Sequence, residues 1–283
     1  MKLKIFIVLV AIVVAWVAGR SIKSGGHAIV NSVEQSAQHG HDDAVHSAPD
    51  GSSERRINES YELAGDAHVE VIGINGPVSV EATDGTTAEV HVTTTAGSAG
   101  ALAEHQVIIE HTKSSLTVRG RGNNGWGFWR WLRGGGNGGA RHNVVLKVPR
   151  TVELAVRGTN GRVEVGEMEG TVQVAGINGR VEIGGAHAGT EVSGVNGGVT
   201  LTVNELGKDG MHVNGINGGV EFRLGSGVNA DLNFNGVNGQ ITVEAPNVEV
   251  QEQKRSKLRG RVGEGGAGIK ANGINGGVRL VGV

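Results

Sequence analysis

The sequence predicts an all-β fold: a single-stranded parallel β-solenoid, a β-helix-like stack of coils about 18–21 residues long with Asn-Gly corners. Three observations predict it. The pair Asn-Gly recurs inside a near-identical motif at seven places: GINGPV from Gly73, GTNGRV from Gly158, GINGRV from Gly176, GVNGGV from Gly194, GINGGV from Gly215 and Gly273, and GVNGQI from Gly236. Apolar residues spaced two apart follow each pair directly. Glycine supplies 50 of 283 residues and aromatics only 3%, as a narrow aliphatic core with many turns requires.

The N-terminus reads as an address. Lys2 and Lys4 precede an unbroken apolar run from Ile5 to Ala18, followed by Gly19 and Arg20. A transmembrane helix needs ~20 residues, whereas a signal-peptide apolar region spans roughly 7–15. Val17 and Gly19 make a weak cleavage site, so residues 1–19 are a signal peptide or an N-terminal membrane anchor. Residues 20–60 are rich in Ser, Gly, His, Asp and Gln without apolar period, the composition of a flexible polar linker. His39, His41, Asp42, Asp43 and His46 have metal-ligand chemistry there, but no second ligand pair stands at a fixed distance, so no metal site is expected. With 0 cysteines, disulfides, thiolate metal sites and a cysteine nucleophile are excluded.

From residue 61 to 283 the pattern is period two, with β-branched residues at the apolar positions. Val163 and Val165, Val181 and Ile183, Val199 and Leu201, Val220 and Phe222, Ile241 and Val243, and Val278 and Leu280 are such pairs. No convincing helical stripe interrupts them. The corner asparagines Asn75, Asn160, Asn178, Asn196, Asn217, Asn238 and Asn275 lie 85, 18, 18, 21, 21 and 37 residues apart. A period near twenty signals stacked repeats, and 37 reads as two coils with one degenerate turn. A hairpin meander with type I′ turns also fits. The solenoid is favoured because like units stacked in register would let the asparagines form a ladder. The glycine directly after each asparagine is expected to take the positive φ of the corner. The residue before it, Ile or Val except at Thr159, would plug the core.

These residues resemble a bacterial "putative-adhesin" family of β-repeats called head GIN after its Gly-Ile-Asn signature. The resemblance runs through 61–283. It takes in the corner at Gly73–Glu81, the stretch GTTAEVHVTTTA, the passage VPRTVELAVRGTNGRVEV and the closing KLRGRVGEGGAGIKANGINGGVRL. It implies a β-solenoid on the bacterial envelope with no agreed ligand, no cofactor and no catalytic residues to carry over.

Glu164 and Glu182 are a formal carboxylate pair of the kind retaining glycosidases hold ~5–5.5 Å apart, but Arg162 and Arg180 beside them point to a solvated charge ladder. GEGGAGIK at Gly263–Lys270 fails the phosphate-loop pattern, since Ala271 stands where Ser or Thr should. The alternating run Lys254, Arg255, Lys257, Arg259, Arg261 reads as one charged edge strand, with an acidic polymer or lipid headgroup as the other reading. The least generic stretch is the Gly/Trp-rich insert at 123–139. Trp126, Phe128, Trp129, Arg130, Trp131 and Arg133 crowd together there between glycines. They make either a cap for the end of the stack or a contact site for a partner or a membrane interface.

The expected function is therefore a non-enzymatic, exported cell-envelope protein with an adhesin-like or scaffolding surface. The expected location is the periplasm, envelope or exterior, with inner-membrane anchoring by residues 5–18 as an option. Its partner would be an envelope, glycan or protein component, or a membrane, with no metal or other cofactor. A net charge of -2 gives no bias toward nucleic acid. The alternatives are a polysaccharide-acting enzyme on the same scaffold and a membrane-anchored envelope sensor.

Overall fold

The computed structural model describes residues 44–47, 52–121 and 139–283, all within the compact unit His39–Val283. Residues 1–43, with the apolar run and four of the five linker residues of metal-ligand type, lie outside the described residues. Only the backbone of His46 is described.

The fold is two eleven-stranded sheets, each mixed parallel and antiparallel. This overturns the single-stranded parallel solenoid. In the middle of the molecule the chain alternates between the sheets at Asn-Gly corners. There β9 (Glu153–Arg157), β11 (Val172–Asn178), β13 (Thr190–Asn196) and β15 (Met211–Asn217) lie parallel in one sheet. Their continuations β10 (Val163–Met168), β12 (Val181–Ala186), β14 (Val199–Val203) and β16 (Val220–Leu224) lie parallel in the other. At both ends antiparallel strands take over, and the order in space departs from the order in sequence.

At the N-terminal end, β3 (His68–Ile72) and β4 (Val78–Thr83) are not the outermost coil. They lie between β9–β10 and a later pair, β7 (Ser115–Gly120) and β8 (Ala140–Pro149). Beyond β8 come β5 (Thr87–Ala96), β2 (Ser53–Glu62) and β1 (Ala44–Ser47), all antiparallel. Beyond β7 comes β6 (Val107–Thr112), again antiparallel. The sheet thus includes Ser53–Glu62, although this segment has a linker's composition. Strand β2 is held by its ladder to β5, and only Ile57 and Tyr61 pack against the core, so its periodicity is faint. One short helix, α1 (Ala99–Glu104), follows β5. Ser98 caps it by accepting from the Ala101 amide, and Leu102 packs with Ala96 and Ala140.

At the C-terminal end, the last coil, β21 (Gly268–Ile274) with β22 (Val278–Gly282), inserts between β15–β16 and the earlier coil of β17 (Ala230–Val237) and β18 (Ile241–Val243). The interval of 37 is therefore not two stacked coils. The intervening chain makes a hairpin, β19 (Val248–Lys254) and β20 (Lys257–Val262), laid antiparallel on β17. It also corrects the reading of the basic run. Lys254 ends β19, while Lys257, Arg259 and Arg261 lie on β20, an interior strand, with β19 outside it.

The core between the sheets is a set of apolar columns. Val163, Val181, Val199, Val220, Val278 and Ile241 form one column, each buried. Phe222 and Phe234 are fully buried, and their rings stack at 5.5 Å. Burial of such columns, at roughly 25 cal/mol per Å², is what holds sheets of this glycine content together.

Candidate functional site

The seven corners form one row. The asparagine Nδ2 of each donates to the Oδ1 of its neighbour in space: Asn160 to Asn75 (3.0 Å), Asn178 to Asn160 (3.1 Å), Asn196 to Asn178 (3.1 Å), Asn217 to Asn196 (2.9 Å), Asn275 to Asn217 (2.9 Å) and Asn238 to Asn275 (3.1 Å). At the end of the row Asn75 donates to the Ala140 carbonyl at 2.7 Å. The residues before the asparagines, Ile74, Thr159, Ile177, Val195, Ile216, Val237 and Ile274, are all buried. The side chains that make the row are thus committed to one another.

The glycines of the motif carry more than the expected requirement. The first glycine, two before the asparagine, is left-handed, as at Gly215 and Gly273, both at φ 63°. The glycine after the asparagine also takes positive φ at several corners, 144° at Gly76 and 156° at Gly218, as expected, and is required for a second reason. A Cβ there would sit 2.1 Å from the Gly197 carbonyl oxygen of the adjacent coil. Adjacent coils touch backbone to backbone at these corners.

The outer face of the sheet containing β4, β10, β12, β14, β16 and β22 carries shallow depressions that share lining residues. One of about 320 Å³ includes Glu164, Glu182, Thr200 and Arg223, and one of about 470 Å³ includes Thr200, Arg223, Glu221 and Arg279. Glu164 and Glu182 stand side by side in register. Arg162 donates to Glu164 at 2.9 Å, and Arg180 lies 3.8 Å from Glu182. Further along, Arg223 donates to Glu221 at 2.7 Å and Arg279 to Glu244 at 2.6 Å. The hydrogen bond from Arg279, opposed by desolvation and aided by its charge, holds the Glu244 carboxyl below its ordinary range. Such ion pairs suit a charged recognition face. Among the described residues the aromatics are Tyr61, Phe222 and Phe234, and none is on this face. No cluster of metal-ligating side chains occurs among the described residues either.

Trp126, Phe128, Trp129, Arg130, Trp131 and Arg133 lie outside the described residues. The connectivity around them is described. Strand β7 pairs with β3 and β8 with β4, so β7 and β8 flank residues 122–138 in sequence as β3 and β4 flank the corner at Asn75. The chain leaves and rejoins the fold at the Asn75 end of the corner row.

On the outer face of the opposite sheet, the sequence pointed only to the basic run that includes Lys257 and Arg259. There His212, Lys270, Asn233 and Arg259 fall in one row across β15, β21, β17 and β20, and Asn214, Asn272, Asn235 and Lys257 fall in the next. The signal was present in the alternating strands HVNGIN and IKANGI. Sequence separation of the strands hid their adjacency.

Solved structures to which the chain is similar include one titled a "putative cell adhesion protein" from Clostridium sporogenes, 9% identical, covering 81% of this chain and 100% of that one, TM-score 0.35. Others are a "putative adhesin" from Parabacteroides merdae, 12% identical, covering 80% and 96%, TM-score 0.26, and one from Bacteroides fragilis, 10% identical, covering 80% and 97%, TM-score 0.31. No family model matches the chain, and no curated protein matches it. Among the described residues no helix is long and apolar enough to cross a membrane.

Proposed function

We propose that the protein is a non-enzymatic contact scaffold of the bacterial cell envelope, exported by its N-terminal apolar segment. In this reading it engages an envelope, glycan or protein partner, or a membrane surface, through the insert at 123–139. One observation supports the proposal: β7 and β8, which precede and follow the insert in sequence, are both paired strands of a stacked coil. A stretch bearing Trp126, Phe128, Trp129, Arg130, Trp131 and Arg133 is thus fastened at both ends to paired strands. Aromatic rings with arginines suit an interface that is apolar on one side and anionic on the other. The ion-paired outer face supports a binding rather than a catalytic role for the rest of the surface.

The test is Trp129→Ala with Trp131→Ala. The melting temperature should stay nearly unchanged while binding to anionic vesicles or cell-wall material falls. Arg130 and Arg133 should make that binding salt-sensitive, since exposed charges are screened beyond ~10 Å at 0.1 M salt. A variant that loses several degrees of stability and no binding would make the insert a cap and sink the contact reading.

A further inference from the structure

Three cations on the outer face of the second sheet make no ion-pair contact among the described residues, although Glu252 stands across from Arg259. On the C-terminal hairpin, Lys254 pairs with Glu252 at 2.5 Å and Arg261 with Glu249 at 2.7 Å. Lys257 and Arg259 on β20 and Lys270 on β21 have no carboxylate in ion-pair contact among the described residues. Strand β17 alone separates β20 from β21. At ~4.8 Å per strand, Arg259 and Lys270 therefore stand about 10 Å apart, with Asn233 between them in the same row. Their positive field is already felt. The Glu252 carboxyl is held below its ordinary range, first by the hydrogen bond from Lys254 and further by the charges of Lys254, Lys257 and Arg259.

Amides fill the space between these cations, and they are already oriented. Asn272 donates to Asn214 at 3.2 Å, and Asn235 to Asn233 at 2.6 Å. Each of these donors keeps a second N–H, and each bonded oxygen keeps a second lone pair. The face repeats an amide donor–acceptor group on β15, β21 and β17, with positive charges on β21 and β20.

We propose that this face binds an anionic polysaccharide, laid across β20, β17, β21 and β15. Lys257, Arg259 and Lys270 would meet its carboxylates, and Asn214, Asn272, Asn233 and Asn235 would meet its hydroxyls. The inference rests on the contact-scaffold reading for the protein's access to such a polymer, and it uses a surface separate from the aromatic insert. Charge complementarity selects the anion, and the interleaved amides select a hydroxyl-rich chain. A nucleic-acid duplex would call for a longer run of cations along its phosphates. A membrane would call for aromatic or apolar side chains, yet Val250 is the one exposed large apolar residue on β19 or β20, and none of the described aromatics is on this face.

The experiment uses the full chain, with polygalacturonate as probe and neutral dextran, duplex DNA and anionic vesicles as comparisons. Polygalacturonate should bind in a salt-dependent way and dextran should not. Arg259→Gln with Lys270→Gln should weaken binding roughly tenfold, as two exposed ion pairs imply. Asn272→Ala should weaken it further at constant charge, whereas Arg56→Gln on β2 of the other sheet should leave it unchanged. Should the double variant be unstable, the native protein still reports: bound polygalacturonate should shield Lys257 and Lys270 from acetylation. The proposal is overturned if polygalacturonate fails to bind at low salt, if the double variant binds as well as the native chain, if those lysines stay reactive, if DNA binds equally well, or if vesicles bind the Trp129→Ala, Trp131→Ala variant as well as polygalacturonate does. Loss of vesicle binding in the insert variant with polygalacturonate binding intact would separate the two surfaces.

Discussion

Asn275 donates to the side-chain oxygen of Asn217 at 2.9 Å across 58 residues of chain, and Asn238, which comes between them in sequence, bonds to the far side of Asn275. The last coil of the protein is thus an interior coil. Its strands are paired on both edges, β21 by β15 and β17 and β22 by β16 and β18.

Chain termini ordinarily fray, and their amides exchange fast. Here the amides of Ile269 and Ala271 should exchange as slowly as that of Val192 in the middle of the stack. Native-state hydrogen exchange checks this. Fast exchange at Ile269 would show that the inserted coil is an add-on that opens independently.

The corner row makes a graded prediction. Asn196 donates to Asn178 and accepts from Asn217, whereas Asn238 ends the row with one such bond. Asn196→Ala should cost about 1–2 kcal/mol and Asn238→Ala about half that, at ~1 kcal/mol per net hydrogen bond. Equal losses in denaturant titration would mean that the row contributes little.

Gly218 and Gly219 are adjacent and should behave very differently. A Cβ on Gly218 meets the Gly197 carbonyl oxygen at 2.1 Å, while on Gly219 the nearest atom is 3.7 Å away. Gly218→Ala should cost about 2–3 kcal/mol, since the coils must separate to admit it, and Gly219→Ala well under ~1 kcal/mol. Denaturation midpoints decide this.

Two core hydroxyls are unpaired. Thr159 occupies a corner plug position held elsewhere by Ile or Val, and Thr190 lies in register with Val172 and Met211. Both are buried, and neither Oγ1 has a hydrogen-bond partner. Replacing a buried, unsatisfied hydroxyl by a methyl removes a penalty of ~1–3 kcal/mol. Thr159→Val and Thr190→Val should each raise the melting temperature, and a fall in either would reveal a partner for that hydroxyl.

His142 on β8 is buried, and its Nδ1 lies 3.0 Å from the Thr94 hydroxyl. Burial, with a smaller contribution from His105, lowers its pKa to about 4, against ~6.5 in an unfolded chain. The unfolded state therefore binds the proton more readily. Stability from this group is complete above ~6.5 and is lost as pH falls toward about 4, by up to about 3 kcal/mol. His142→Gln should flatten the stability–pH slope across that window. An unchanged slope would assign the acid sensitivity to other groups.

The sequence by itself determined the all-β class, the apolar pairs that face the core and the place of each Asn-Gly corner. Period-two alternation and the Asn-Gly signal are local, and each motif is long enough to declare its own turn. It also pointed to the asparagine row, because like units tend to stack in register. The order of the coils was decided by the tertiary structure alone. Nothing local in GINGGV says which neighbour it will meet, and a coil at Gly273 fits beside Asn217 as well as one at Gly236 does. The antiparallel strands at both ends were hidden for a related reason. Ser53–Glu62, next to the edge strand β1, and Val248–Lys254, an edge strand, have little burial, so packing left almost no apolar period in them. The glycine after the asparagine was legible as a φ requirement, which holds at Gly76 and Gly218, but its second need, the close backbone of another coil, was not. The cationic amide face is likewise a product of pairing, for Lys270 and Arg259 become near neighbours only when β21 and β20 settle on either side of β17.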